Sequence, residues 1–248
     1  MSTVITTTVL PDSTSNDTLT FGATGDSLAI SGDSLNLNTL QDAGGNTIFV
    51  SDGSGTITSK NSGFPGAFNL ISTQEASGSA SVSFTTGIDS TYDIYVFKFI
   101  DINPDTNEAS FRFQGSTDTG SSYGVTKTTT WFYALHTESG SSAVFSYSAG
   151  LDLQQSTSPQ IIASTIGNDA DACAVGELWL FDPSSTDYLK RFCATSNTYR
   201  ADDETQNAFI GGYFTSSTAV IDAIQFTMSS GNFDGTIKLY GLTKSWVF

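Results

Sequence analysis

Basic residues are scarce in this sequence: nine Lys and Arg stand against 25 Asp and Glu, a formal net charge of −16. No basic stripe is present to neutralise phosphates, so nucleic acid is not an expected partner. An anionic membrane surface is disfavoured on the same ground. Long apolar runs are missing as well. No stretch approaches the ~20 apolar residues of a membrane span, so no membrane insertion is expected. Met1-Ser-Thr-Val lacks both a basic start and an apolar run, and no secretory signal peptide is expected. Histidine occurs once, at His136, and cysteine twice, at Cys173 and Cys193. That inventory makes no ordinary structural zinc site without a carboxylate ligand. It also leaves His136 as the sole imidazole for any Ser-His chemistry.

Helical periodicity is the next absence, since no segment shows a convincing 3.6-residue period. What is present is aromatic and β-prone. Hydrophobic residues make up 38% of the chain while aromatics reach 12%. That balance suits thin β layers with aromatic cores under Ser, Thr, Gly and Asn surfaces, and it argues against disorder. The acidity reads as a source of solubility and as protection of β edges against self-association.

Short alternating segments recur at Phe68–Thr73, Ala80–Thr85, Tyr92–Ile100, Ala109–Gln114, Thr126–His136 and Ala143–Ala149. They continue at Gln160–Ile166, Ala174–Phe181, Tyr188–Ala194 and Gln206–Phe214. Punctuated by Gly, Asn, Asp and Ser, they predict an all-β, antiparallel, jelly-roll-like sandwich. The series ends in Ala219–Leu242, where Ile224, Phe226 and Met228 alternate with polar residues, as do Ile237 and Leu239. The intervening Ser-Ser-Gly-Asn-Phe-Asp-Gly supplies turn residues, so this pair is expected to form a terminal β-hairpin. Cys173 and Cys193 flank the turn Asp182–Asp187, and a symmetric register sets Cys193 opposite Gly176. A bridge would need a register shift, so buried free thiols are expected, in keeping with a reducing cytoplasm.

The N-terminal quarter differs. Residues 1–11 are Thr-rich and β-prone, and read either as an arm that adds a strand to a neighbour or as a frayed terminus. Gly25-Asp-Ser-Leu28 recurs seven residues on as Gly32-Asp-Ser-Leu35, followed by short apolar pieces to Thr58. Each piece has too few apolar residues to offset its own ordering entropy. Either three chains share an axis here, or the segment is a collar on its own C-terminal domain. Gly63, Pro65 and Gly66 mark the boundary. Two domains are expected, 1–62 for attachment or trimerisation and 63–248 for the sandwich.

Candidate chemistry is sparse. Gly120-Ser-Ser122-Tyr-Gly124 matches a nucleophile elbow by pattern, but a strand follows where that elbow needs a helix. Asp101, Asn103, Asp105 and Asn107 alternate oxygen donors as calcium loops do, yet Thr106 and Arg112 stand where an EF-hand needs Gly and Glu. The stretch reads as a turn, and His136 as a satisfied strand-end residue. Asp202-Asp-Glu204 reads as a solvated loop rather than a catalytic acid pair. Trp131, Tyr133, Trp179 and Tyr213 are candidate stacking platforms for sugars, with about half expected to face the core. No catalytic residue, metal ligand or cofactor site is assigned.

Several of these stretches carry a resemblance. Ile221-Asp-Ala-Ile-Gln-Phe226, Ser229-Ser-Gly-Asn232 and Gly235-Thr-Ile-Lys-Leu-Tyr-Gly241 look like the closing signature of virion structural proteins of tailed bacteriophages. Such proteins are described as tail-fibre-like, head-fibre or capsid-decoration proteins. The likeness continues in Tyr92-Asp-Ile-Tyr-Val-Phe97, Phe111-Arg-Phe113 with Gly115-Ser-Thr-Asp-Thr-Gly-Ser-Ser-Tyr123, and Gly176-Glu-Leu-Trp-Leu-Phe-Asp-Pro183. It covers about Phe64–Leu242. The resemblance implies a jelly-roll-like, trimeric, non-enzymatic virion component, assembled in the host cytoplasm and exposed on the particle. Its expected partners are its own copies and other capsid or tail proteins. An alternative expectation, from the aromatic residues, is an adhesin module that binds host surface glycans.

Overall fold

Alternation with a period of two puts successive side chains on opposite faces of a strand, and this chain uses that pattern almost throughout. In the computed structural model, every regular element among the described residues is a β-strand. The described residues are 39–41, 45–54, 57–60, 68–215 and 219–242. The Thr-rich segment 1–11, the Gly-Asp-Ser-Leu repeats and the boundary residues 61–67 lie outside them. The chain divides into two units, Met1–Phe64 and Pro65–Phe248.

In the first unit, β1 (Thr39–Gln41), β2 (Thr47–Ser51) and β3 (Ile57–Lys60) form a three-stranded antiparallel sheet in chain order. The β2–β3 reversal is tied by Ser54 N–H donating to Asp52 Oδ1 at 2.7 Å. Gly53 there adopts a φ of +80°. None of the side chains described in this unit is fully buried, and Ile57 is 60% exposed.

The second unit comprises β4 (Asn69–Ser79), β5 (Ser81–Phe84), β6 (Ile94–Pro104), β7 (Ala109–Ser116), β8 (Lys127–Thr137) and β9 (Ala143–Tyr147). It continues with β10 (Gln160–Ile166), β11 (Ala174–Phe181), β12 (Arg191–Tyr199), β13 (Glu204–Phe214), β14 (Ala223–Met228) and β15 (Phe233–Leu242). These strands build a four-stranded sheet, β10-β7-β14-β5, and an eight-stranded sheet, β4-β15-β6-β11-β12-β13-β8-β9. All pairings are antiparallel. The result is an all-β sandwich. No two consecutive strands share the four-stranded sheet: the chain enters it from the larger sheet and returns each time.

The closing pair is therefore not a hairpin. β14 lies between β7 and β5, whereas β15 lies between β4 and β6 in the opposite layer. Their alternation is genuine, but it serves a single core from two sides. Ile224, Phe226 and Met228 face that core from one layer, and Ile237 and Leu239 from the other. Gly231 makes the crossing possible, with a φ of +68° and no room for a side chain. A Cβ there would stand 2.0 Å from Asp105 Oδ1. The cysteine register also differs from the symmetric expectation. The β11–β12 ladder sets Cys193 opposite Trp179, because the connection runs asymmetrically to Lys190. Both thiols are free, Cys173 half-buried and Cys193 exposed, so the second is not the buried thiol expected.

Phenylalanines join the layers. Phe226 of β14 meets Phe97 and Phe99 of β6 at 5.3 and 5.2 Å, Phe84 of β5 at 6.2 Å, and stacks on Phe111 of β7 at 5.5 Å. A second group, Phe113, Phe192 and Phe214, ties β7 to β12 and β13. Towards β10 the join turns polar. Gln160 accepts from Thr129, Ser164 Oγ donates to Gln206 Oε1 at 2.9 Å, and Ser196 Oγ donates to the Ile162 carbonyl at 2.8 Å. Buried polar groups paired in this way avoid the desolvation penalty of an orphan.

Phe226→Ala removes the ring at the centre of this packing. It is expected to cost about 3–5 kcal/mol, read as a lower denaturation midpoint with little change in slope. Phe226→Leu should lose clearly less; equal losses would show that refilling the volume restores nothing without the ring's own geometry.

Candidate functional site

The side chains of the eight-stranded sheet that point away from the core form a broad outer face. Strand register sets their order. One row runs Lys238, Lys98, Glu177, Thr195, Phe209, Phe132, Tyr147 across seven strands. The next carries Val175, Asn197, Asn207, Ala134 and Phe145. Another carries Leu70, Tyr240, Val96, Trp179 and Cys193.

Two aromatic clusters result. Phe68 stands edge-on to both Trp179 and Tyr240 at 6.0 Å, with Lys98 Nζ 5.9 Å above its ring, and Trp179 stacks on Phe181 at 6.4 Å. Across the sheet, Phe132 stacks on Phe209 at 5.1 Å and meets Phe145 at 5.8 Å. Between the clusters lies a shallow concavity of about 450 Å³, lined by Lys98, Glu177, Thr195, Asn197, Asn207 and Phe209 among others. Lys98 and Glu177 form an ion pair in its wall. Burial pushes the Glu177 carboxyl up, but the hydrogen bonds from Lys98 and Trp179 and the Lys98 charge leave it below the usual range. Asn197 Nδ2 donates to Asn207 Oδ1 at 2.7 Å, which fixes the two amide planes at the groove floor.

The residues singled out from the sequence do not converge. Trp131 is wholly in the core, its Nε1–H donating to the Ile161 carbonyl at 3.2 Å, and Tyr133 packs against it. Trp179 and Tyr213 take the outer face, in separate rows. His136 is exposed at the end of β8, with Nδ1 2.8 Å from the Thr137 carbonyl. Ser122 Oγ donates to Asp118, not to an imidazole, and no helix follows. Hydrogen bonds from Ser116 and Ser122 hold the Asp118 carboxyl down at about 2, so it acts as the knot of its loop.

Three side chains of the Asp101–Asn107 stretch are likewise engaged in loop-to-loop bonds. Asp105 Oδ1 accepts from Asn232 N–H at 2.9 Å, Asn107 Oδ1 accepts from Asn168 N–H at 3.3 Å, and Asn103 donates to the Asp169 carbonyl at 3.1 Å. Asp202 and Glu204 both take the Arg200 guanidinium at 3.0 Å, which secures the β12–β13 turn. Among the described residues, no group of three or more His, Cys, Asp or Glu is placed to hold a metal ion.

The platforms missed in the sequence are Phe68, Phe132, Phe145 and Phe209. Each lies in an alternating segment, but which phase faces outward depends on pairing between strands distant in the chain. The comparisons add no relative: no protein-family model, curated protein or solved structure matches the chain.

One buried charge stands apart from the outer face. Lys127 is fully buried beside Phe214 in the β13 ladder, its Nζ donating to the Val125 carbonyl at 3.2 Å. Burial pushes its amine from the ordinary 10.5 down to about 8. Between those values the unfolded chain holds a proton that the folded chain has released, so this group makes stability rise with pH across the window. Below about 8 the folded state bears the full cost, roughly 3 kcal/mol. Lys127→Met is expected to raise the melting temperature at pH 7, with the gain shrinking toward pH 10. A gain that does not change with pH would refute this assignment.

Proposed function

We propose that this chain is a non-enzymatic structural subunit of a tailed-phage virion, a surface fibre or capsid-decoration protein. In this reading it forms a homotrimer, attaches through residues 1–62 and presents its sandwich outward, with other capsid or tail proteins as further partners. It is assembled in the host cytoplasm and is exposed on the finished particle. The phage identity rests on the resemblance of the closing segment and its upstream companions. The finer description of the sandwich as jelly-roll-like belongs to the same reading, and the repeated crossing between layers at β4/β5, β6/β7, β9/β10 and β14/β15 supports it.

The observation that carries the associative part is the outer face of the eight-stranded sheet. Phe68 is 43% exposed and Phe145 75%, in clusters with rings on neighbouring strands rather than as scattered single residues. Grouped apolar exposure of this kind marks surfaces that meet other macromolecules. The polar concavity between the clusters favours a second reading, a glycan-binding module. A ring face at Phe209, two oriented amides and the Thr195 hydroxyl match a ligand with one apolar face and a rim of hydroxyls.

Light scattering after size exclusion tests the first reading. The full chain is expected at three times its 26.2 kDa mass, and a mass of one chain at every concentration would overturn trimerisation through residues 1–62. A saccharide array tests the second: saturable binding to a surface polysaccharide should fall at least tenfold in Phe209→Ala, and an array blank for the wild-type chain would dismiss it.

A further inference from the structure

Among the described residues, the sandwich has an open edge at β9. Its sequence, Ala143-Val-Phe-Ser-Tyr147, carries no charge, no proline and no bulge against β8. Edge strands in soluble proteins are ordinarily blunted by such devices, because a bare row of N–H and C=O groups templates another strand. The opposite edge of the same sheet is treated differently, since β4 carries Glu75 and two register irregularities against β15. In the four-stranded sheet, β5 has only four residues, and β10 is irregular at two places against β7.

The backbone groups that β9 turns away from β8 can be named, and one is partly engaged: the Tyr147 carbonyl accepts from Ser146 Oγ at 3.2 Å, which leaves its second lone pair for a partner. At its two ends, Thr137 N–H donates to the Ser142 carbonyl at 3.1 Å and Ser148 N–H donates to the Trp131 carbonyl at 2.9 Å. In an antiparallel ladder alternate residues turn their backbone groups to the same side. Ser142, Val144, Ser146 and Ser148 therefore face β8, while Ala143, Phe145 and Tyr147 direct N–H and C=O groups away from the sheet. The side chains of Phe145 and Tyr147 are 75% and 53% exposed, and they continue the Phe132–Phe209 stack to the sheet margin.

We infer that β9 is an intermolecular pairing site, and that its partner is β9 of a second copy of this chain. Three observations select that partner. The three outward-directed residues are evenly spaced about Phe145, so an antiparallel copy centred there matches them without an offset. Ala143 then pairs with Tyr147 of the copy, Phe145 with Phe145 of the copy, and Tyr147 with Ala143 of the copy, giving six backbone hydrogen bonds about a two-fold axis. The uncharged strand meets its own copy without like-charge opposition along the seam, although each chain carries −16 overall. The aromatic stripe meets its own continuation across the seam.

This inference rests on the structural-subunit reading for its setting: a two-fold joint cannot close a trimer, so it links one trimer to the next and fuses two eight-stranded sheets into one. Screening by salt favours it, since the joint must overcome repulsion between acidic chains.

The test uses the full-length chain and its Phe145→Lys variant, which adds a charge to the strand without touching the core. Sedimentation over a range of concentrations at physiological and higher salt is paired with residue-resolved amide exchange. The expected result is concentration-dependent association of the wild-type chain that weakens at least tenfold in the variant. With it should come concentration-dependent protection of the Ala143, Phe145 and Tyr147 amides, while Val144 and Ser146 stay protected at all concentrations. Equal association of both proteins overturns the inference, as does protection of the three amides that does not depend on concentration, which would place a segment of the same chain on the edge. The two readings fail separately. A trimer that associates no further sinks the β9 joint alone, whereas a monomer that dimerises through β9 sinks the trimer alone.

Discussion

The sandwich depends on the contact of Phe226 with rings from three other strands. It packs on Phe84, Phe97, Phe99 and Phe111 at ring distances of 5.2 to 6.2 Å, mostly edge-to-face. Such geometry sets the positive rim of one ring against the negative face of another and adds direction to burial. Direction matters here because of the topology. No strand of the four-stranded sheet has a chain neighbour beside it, so that sheet has no hairpin from which to grow. Its strands are held both by packing on the larger sheet and by hydrogen bonds to strands remote in the chain.

The same arrangement leaves the outer face of the larger sheet without a second layer of strands on it among the described residues. Because the core is served by one phase of each strand, the other phase is released for contacts with something else. Across β6, β11, β12 and β13 that phase is mixed, with an ion pair, amides, hydroxyls and a ring around a shallow concavity. Toward both margins it becomes aromatic. Central strands have their backbone groups committed on both sides, so they offer a ligand only side chains. The margin at β9 offers backbone as well, and the two kinds of surface therefore suit different partners.

The strand pattern was largely legible in the residues. Gln160–Ile166 and Ala174–Phe181 appear with the same bounds, and Ala109–Gln114 and Thr126–His136 differ by one or two residues at an end. Alternation and turn residues are local properties, and they survive folding. The candidate platforms were only half legible. Trp131 and Trp179 sit in similar aromatic strands, yet one is fully buried and the other looks outward. Period-two alternation separates two faces without saying which will be covered. The closing segment shows the same limit: a tight reversal between alternating strands describes a hairpin and an interlayer crossing equally well. What distinguishes them is whether Phe226 and Leu239 serve the core from one layer or from two.

Residues alone determined that this chain is all-β and acidic, without the helical periodicity or basic surface that other classes of protein need. They did so because propensity, alternation and charge are properties of short stretches. Tertiary structure decided the rest: which layer each strand joins, that Cys193 lies opposite Trp179, that Phe132 and Phe209 stack, and that β9, paired only with β8 among the described residues, ends the sheet. Each of these requires pairing between strands remote in the chain. Pairing of that kind is selected by how well an entire aromatic core closes, a condition that no local segment contains.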